Sequence, residues 1–400
     1  MKKQQKRVAL IGLPVLQSVN NLTSAAIARY AEGVGNWQFI LSTEPTVNAF
    51  RFLRTLDCDG AIVRVLNPAM RREAMRVRCP ILNISNWMED PGVTTVRHDY
   101  QAVGRLAAEH LLEKGYQRFG CVVTSGGWYV QARLNAFMEL LRVRGFESAK
   151  FVLRKGTGAI DEFTQHNLPI PDGERKRFIE WVRQLQPPAA LMLTDDWDAP
   201  ALLELCQQAG LQIPRDLVVI STGVHSEIMP LCKPSLTAAQ EDQLTQARMT
   251  IDTLAALMAG KFPAKSIIEV PPLGIVERES TAMLAIEDRE VGHAVEFIRA
   301  HVGDGINVTD VIKRARISRV TLERHFRLVT GQTLHDYIVH QKVRRAQELL
   351  LERPYRSLQG IAKLCGFPDR RRLNLVFRRV TAKTPADWRG QQPGTLGTPR

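Results

Sequence analysis

Residues 358–380 read LQGIAKLCGFPDRRRLNLVFRRV, and this stretch decides the fold of the last quarter of the chain. Its apolar residues fall on one face of two successive helices, and Cys365-Gly366-Phe367 supplies a tight turn between them. The inward residues are Leu358, Ile361, Ala362, Leu373 and Phe377. A helix, a short turn and a basic helix are the parts of a helix-turn-helix, so the stretch predicts that motif.

A second copy of the same layout lies upstream. A helix beginning near Val308 leads through Arg316-Ile317-Ser318 into a second helix, Arg319 to Val329, with Leu322 and Phe326 inward. About 50 residues separate the two recognition helices, and a long helix from Leu334 to Leu351 lies between them. This spacing predicts that one chain can reach two successive major-groove turns of DNA.

The outward residues of both second helices suit nucleic acid. Arginine grips guanine O6 and N7 with two hydrogen bonds, and neighbouring basic residues neutralise phosphates. The candidate DNA-contacting residues are Arg319, Thr321, Glu323, Arg324, Arg370, Arg371, Arg372 and Asn374. An arginine-rich amphipathic helix is also typical of a solvated surface, but two copies at this spacing favour double-stranded DNA.

The charge distribution supports the same partner. The 400 residues carry a net charge of +13, and residues 287–400 hold 22 Lys and Arg against 12 Asp and Glu. Most of the basic excess therefore lies in the helical region, which predicts that this region meets a polyanion.

The first 271 residues alternate short apolar runs with helical segments. The runs are RVALIG (7–12), GAIVRV (60–65), PILNIS (80–85), FGCVVT (119–124), AALMLT (189–194) and LVVIST (217–222). Such runs are typical of strands buried on both faces of a parallel sheet. The length suits two lobes, with the passage between them at the helix Asp99 to Lys114. The predicted fold class is a two-lobed, doubly wound α/β domain, followed by an all-α domain with two helix-turn-helix motifs.

The composition also places the boundaries. We predict a ligand-binding α/β domain over 1–273 and a linker over 274–287, where proline, glycine and mixed polarity replace the regular pattern. A DNA-binding domain follows over 288–390, and the Gly- and Pro-rich residues 391–400 are expected to form a disordered tail.

Two resemblances to known families cover nearly the whole chain. Residues 317–350 and 361–389, with S-R-x-x-L-x-R-x-F, R-x-x-x-A-x-x-L-L and F-R-R-x-x-x-x-T-P in order, resemble the DNA-binding domain of the AraC/XylS family. Residues 6–285 resemble the lactose-repressor type of periplasmic-binding-protein fold, carried by VGRLAAEHLLEKG (103–115) and by VPP and ERES within 270–280. The domain order is that of XylR-like regulators. The resemblance implies a homodimeric transcription activator that is switched by a sugar and works with RNA polymerase. It also implies that residues 1–273 form the ligand-sensing and dimerisation domain.

The resemblance also implies where the effector binds. Arg133 aligns with the arginine that grips the ligand in lactose-repressor-like domains, and Asp195 and Asp196 match an acidic pair after a strand. His225 stands where relatives carry an acid, so we expect a cleft that accepts a sugar acid better than theirs. The candidate aromatic platforms are Trp87, Trp128 and Trp197.

Each effector residue has an alternative role. Arg133 also suits a salt bridge between lobes, and Asp195 and Asp196 suit the cap of the following helix. His225 also suits a simple hydrogen-bonding role, and each tryptophan suits the core.

Two departures from the AraC/XylS pattern affect the DNA-binding motifs. Arg316 replaces the small residue usual at the first turn, which predicts a strained or differently shaped motif. Leu375 stands at an outward position of the second motif, where it suits contact with a thymine methyl.

Other classes lack their sequence signatures. No G-x-S-x-G, Walker A, H-E-x-x-H or G-x-G-x-x-G motif occurs, so we predict neither an enzyme nor a cofactor. The six scattered cysteines predict reduced core thiols and no metal site. No apolar run is long enough to span a membrane and the first residues lack a signal-peptide core, so we expect a cytoplasmic protein. The alternative is a sugar-binding or sugar-transforming α/β protein whose basic C-terminal domain serves only for targeting.

Overall fold

The chain divides into two compact units, one of mixed α/β structure and one that is helical. The computed structural model describes residues 5–12, 26–33, 37–42, 45–124, 126–154, 169–223, 229–283, 285, 288–351, 356–381 and 383–390. The first unit holds residues 1–109 and 118–282, and the second holds residues 110–117 and 283–400. The end of one long helix of the sensor thus belongs, by its contacts, with the helical unit.

The first sheet of the sensor is parallel throughout. Its order is β11-β5-β4-β3-β1-β2. The strands are β1 (Lys6–Ile11), β2 (Trp37–Ser42), β3 (Gly60–Val63), β4 (Ile81–Asn83), β5 (Thr95–His98) and β11 (Ile267–Val270). The helices of this lobe are α1 (26–33), α2 (Val47–Leu53), α3 (Pro68–Ala74) and α8 (Gln243–Met258). Because α8 and β11 come late in the chain yet pack here, the chain returns to the first lobe after building most of the second.

The second sheet has the order β12-β10-β9-β8-β6-β7, in which only β12 runs antiparallel to its neighbour. Its strands are β6 (Phe119–Val123), β7 (Ser148–Val152), β8 (Ala189–Leu193), β9 (Leu217–Ser221), β10 (Thr237–Gln240) and β12 (Gly274–Val276). The associated helices are α4 (Tyr100–Glu113), α5 (Trp128–Val143), α6 (Asp172–Arg183) and α7 (Ala199–Gln208). Parallel strands covered by helices on both faces explain the continuous apolar runs.

All six strands predicted from apolar runs are present, whereas the other six were not predicted. The missed strands are short or lie near sheet edges, and β2, an edge strand, exposes Gln38 and Leu41. The structure also places part of the expected linker in the second sheet, because Gly274–Val276 pairs with β10 and Ser280 donates to the Val219 carbonyl.

The second unit contains seven helices in its described part. They are α9 (Arg289–His301), α10 (Val308–Ile312), α11 (Arg319–Thr330), α12 (Leu334–Leu351), α13 (Leu358–Leu364), α14 (Arg370–Thr381) and α15 (Pro385–Gly390). Phe326 of α11 packs on Tyr337 of α12 with ring centroids 5.3 Å apart. Phe377 of α14 packs on Trp388 at 5.7 Å. Each motif therefore has its own aromatic anchor. No helix of the described residues is long and apolar enough to cross a bilayer.

The cysteines are all free. Four of them are buried, whereas Cys58 and Cys79 are half-buried with Sγ atoms 3.4 Å apart.

Helix α4 approaches α5 closely because Gly104 has no side chain. A methyl group at Gly104 would lie 2.1 Å from the carbonyl oxygen of Arg133, so any larger residue must push the two helices apart. The position of Arg133 thus depends on a glycine in the neighbouring helix.

We predict that Gly104→Ala lowers the free energy of unfolding by about 1–3 kcal/mol, because the added methyl overpacks the α4–α5 contact. Gly173→Ala is the matched control, since nothing lies within 4 Å of its added methyl, and it should be neutral or stabilising by up to about 1 kcal/mol. Thermal unfolding followed by circular dichroism measures both. Equal melting temperatures for the two variants would refute the close approach.

Candidate functional site

Arg133 is the most enclosed charged residue of the sensor cleft. It projects from α5, has 1% of its surface exposed, and donates from Nη2 to Oε1 of Glu241 at 2.7 Å and from Nη1 to the Thr194 carbonyl at 3.1 Å. Its guanidinium also lies 4.6 Å from the ring centre of Tyr100 and 5.1 Å from that of Tyr129.

The pKa of Arg133 reflects this enclosure. Burial is the largest influence and favours the neutral form, but the Glu241 carboxylate, with Tyr100, Tyr129 and Asp195, raises the pKa of Arg133 above its ordinary value. Arg133 is therefore a fixed cation whose charge is already balanced.

Asp195 and Asp196 follow β8 and are both buried. Oδ1 of Asp195 accepts from the amides of Asp196 (2.7 Å) and Trp197 (3.3 Å), and Oδ2 accepts from the Tyr129 hydroxyl at 3.2 Å. The N-cap residue of α7 is Asp198, so Asp195 instead closes a turn ahead of that helix, and it also binds the Tyr129 hydroxyl of α5. Gly223 lies against Asp196 so closely that a methyl there would come within 2.3 Å of the carboxylate carbon.

The predicted tryptophans sit in different surroundings. Trp128 is half-buried and its ring is covered by the Arg97 guanidinium at 3.7 Å, while Trp87 packs on Tyr129 at 5.9 Å between ring centroids. Trp197 is half-buried directly after the acidic pair. Tyr100 and Tyr129, 5.8 Å apart, are the aromatic rings that contact Arg133. His225 lies outside the described residues.

Sequence reasoning missed three charged or titratable residues of the cleft. His98 ends β5 of the first lobe, and its Nε2 lies 3.2 Å from Oε2 of Glu241, which follows β10. The side chains of His98 and Glu241 are 3% and 5% exposed. Arg64 follows β3 and is also buried. Each lies one residue past a strand or at its end, which is the signal that could have found them.

The candidate DNA-contacting residues are surface residues of α11 and α14. Ser318 caps α11 through the Thr321 amide, and Arg319 pairs with Glu323 at 3.0 Å one turn along. The side chains of Arg324, Arg370, Arg371 and Arg372 are exposed. Asn374 is half-buried, and the neighbouring Leu375 is 56% exposed.

The two turns are built differently. Gly366 has φ +66° in the second motif, and a methyl there would come within 2.6 Å of the Gly305 amide nitrogen. In the first motif the matching residue is Arg316, whose amide donates to Oε2 of Glu290 in α9 at 2.8 Å. The first turn is therefore held by a carboxylate from a neighbouring helix, with the Arg316 side chain exposed.

Lys342 of α12 joins the two motifs. Its Nζ donates to the carbonyls of Ile306, just before α10, and Gly366, each at 3.1 Å. Burial lowers the pKa of Lys342. One ammonium thus fixes the spacing of the two motifs.

We predict that Lys342→Met lowers the free energy of unfolding of the helical unit by about 1–3 kcal/mol, because two carbonyls lose their donor. Lys363→Met, at an exposed site on α13, is the control and should change it by less than about 0.5 kcal/mol. Scanning calorimetry of the full chain resolves the effect. A Lys342 variant as stable as the control would show that the ammonium does not join the motifs.

Comparison with known proteins agrees with both halves of this description. The family described as periplasmic binding protein-like domain matches residues 108–281, and that described as helix-turn-helix domain matches residues 311–391. The chain is 28% identical over 302 residues to the xylose operon regulatory protein of Escherichia coli K12, covering 75% of this chain and 74% of the relative. It is 34% identical over 95 residues to the regulatory protein SoxS of Salmonella typhimurium, covering 24% of this chain and 88% of SoxS.

Solved structures show the same fold. The xylose-binding transcription activator xylR matches with a TM-score of 0.60 at 23% identity, over 97% of this chain and 99% of that one. The lac repressor dimer bound to operator and an anti-inducer matches with a TM-score of 0.56 at 17% identity, over 71% of this chain and 96% of that one.

The fold, the enclosed cleft and the paired motifs define a class of protein, the ligand-responsive regulators that bind DNA. The chain belongs to the AraC/XylS family of transcription regulators, and its order of sensor followed by paired helix-turn-helix motifs is XylR-like. Its relatives are transcription regulators and not enzymes.

Proposed function

We propose that this chain activates a sugar-catabolic operon in the cytoplasm and takes a pentose such as D-xylose as its effector. The observation that carries the proposal is the group of Arg133, Asp195, Asp196 and Glu241, which are enclosed beside two tyrosines at the carboxyl ends of strands. Carboxylates accept hydroxyl donors and a guanidinium donates to hydroxyl oxygens, so this group suits a polyhydroxylated ligand. The names of the xylose operon regulators support the choice of sugar.

The structure weakens the expectation of a sugar acid. That expectation needed Arg133 to receive the ligand carboxylate, whereas Glu241 already occupies the guanidinium at 2.7 Å. We therefore propose a neutral sugar, with His225 contributing to specificity.

We propose that residues 288–390 bind the operator. The recognition helices α11 and α14 would enter successive major grooves, with Arg324 and the Arg370–Arg372 cluster contacting bases and phosphates. The DNA-contacting surface would also include Thr321, Asn374, and Arg319 with its partner Glu323. A monomer contacting two grooves offers little area for discrimination among genomic sites, so we infer a homodimer on repeated half-sites that recruits RNA polymerase.

The effector proposal predicts that D-xylose raises the melting temperature of the full chain, because it binds only the folded sensor. Asp196→Asn should weaken binding roughly tenfold or more, since hydrogen bonds to a charged group are worth about 1.5–3 kcal/mol. Asp57→Asn is the control, because Asp57 is fully exposed at the surface. Calorimetric affinities that are equal for both variants would remove Asp196 from the site.

The DNA proposal predicts that Arg371→Ala weakens operator binding by about 1–3 kcal/mol. Loss of sequence preference at one base pair would indicate that Arg371 recognises guanine. An equal loss of affinity for all sequences, with a shallower salt dependence, would indicate a phosphate contact. Arg142→Ala is the control, because Arg142 is an exposed residue of sensor helix α5. Unchanged binding after alanine replaces Arg324, Arg370, Arg371 and Arg372 together would overturn the proposed surface.

A further inference from the structure

The guanidinium of Arg133 is not an open receptor for an anion. Its two terminal nitrogens already donate to Glu241 and to the Thr194 carbonyl, at 2.7 Å and 3.1 Å. Among the nitrogens of Arg133, Nε is the one that is buried without a hydrogen-bond partner in the described part of the chain. Each terminal nitrogen uses one of its two N–H groups on these partners, so N–H donors remain for hydroxyl oxygens, while the Glu241 carboxylate already balances the charge of the guanidinium.

Glu241 is itself held in place from both sides. Oε1 accepts from Arg133, and Oε2 lies 3.2 Å from Nε2 of His98, which belongs to the opposite lobe. With 5% of its side chain exposed, Glu241 is enclosed where it stands. A ligand that binds both terminal nitrogens of Arg133 would have to displace the carboxylate of Glu241, which is buried and contacts both Arg133 and His98.

The carboxylates around Arg133 also disfavour an acidic ligand. Asp195 is close enough to influence Arg133 and binds the hydroxyl of Tyr129, whose ring lies beside the guanidinium. An acidic ligand at Arg133 would therefore face the carboxylates of Glu241 and Asp195, both buried, where like charges repel more strongly than in water. A sugar hydroxyl carries no such penalty, because it donates to a carboxylate and accepts from Nε.

We propose that Glu241 is the specificity-determining residue of the effector cleft: by occupying Arg133 it admits a neutral sugar and rejects the corresponding sugar acid. This inference rests on the proposed function and adds to it the charge of the ligand and the residue that sets it. His98 acts through Glu241 as a positioning residue that orients the carboxylate from the facing lobe.

The test compares D-xylose with D-xylonate by titration calorimetry on the full chain. The native protein should bind xylose at least 100-fold more tightly than xylonate. Glu241→Gln should reduce that ratio at least tenfold, mainly by tighter binding of xylonate. Glu73→Gln is the matched control, because Glu73 forms an Arg–Glu pair with Arg54 between α2 and α3, at 2.9 Å, and should leave the ratio unchanged.

A second variant tests the role of Glu241 even if Glu241→Gln does not fold. Glu241→Ser leaves space for a ligand carboxylate beside Arg133, so xylonate should raise the melting temperature of Glu241→Ser more than that of the native protein.

The outcomes separate the inference from the function on which it rests. A native protein that binds xylose but keeps its full preference in Glu241→Gln, with no extra stabilisation of Glu241→Ser by xylonate, overturns the role of Glu241. A native protein that prefers xylonate also overturns it. Binding of neither compound contradicts the proposed effector itself.

Discussion

A guanidinium with 1% of its surface exposed requires an anion beside it, and the sensor is arranged around that requirement. Glu241 supplies the anion and reaches His98 on the facing lobe. Tyr100 and Tyr129 cover the guanidinium, and Gly104 allows the helix that carries Tyr100 to come close enough to do so. The ion pair thus links residues from both sheets around one enclosed cleft.

Helix α4 contributes residues to both units. It begins at Tyr100, whose ring contacts Arg133, and its last residues belong by their contacts with the helical unit. There the Gln332 side chain, just before α12, donates to Glu113 at the end of α4. Helix α12 also carries Lys342, which joins the two motifs.

The sequence predicted the parts whose signal is local. The apolar runs identified six buried strands, and the repeated basic helices identified both motifs, because burial on two faces and amphipathicity leave periodic patterns. The edge strand β2 left no such pattern, and Gly274–Val276 resembled a linker because its pairing partner β10 lies 34 or more residues earlier. Arg133, Asp195 and Asp196 were predicted from the resemblance, whereas Glu241 and His98 were not predicted, since only the fold brings them 3.2 Å apart. In our proposal, that contact positions the carboxylate that selects a neutral sugar over a sugar acid.

The effect of sugar binding on DNA affinity is the most direct test of a sugar-responsive regulator. The measurement is the affinity of the full chain for a duplex selected from a random-sequence library, with and without saturating D-xylose, by fluorescence anisotropy at fixed salt. In a sugar-responsive regulator, xylose should change the affinity for the selected duplex at least fivefold, the lower end of typical allosteric coupling, and leave the affinity for an unrelated duplex unchanged. Equal affinity for the selected duplex in both conditions, with xylose shown to be bound, would contradict a sugar-responsive regulator.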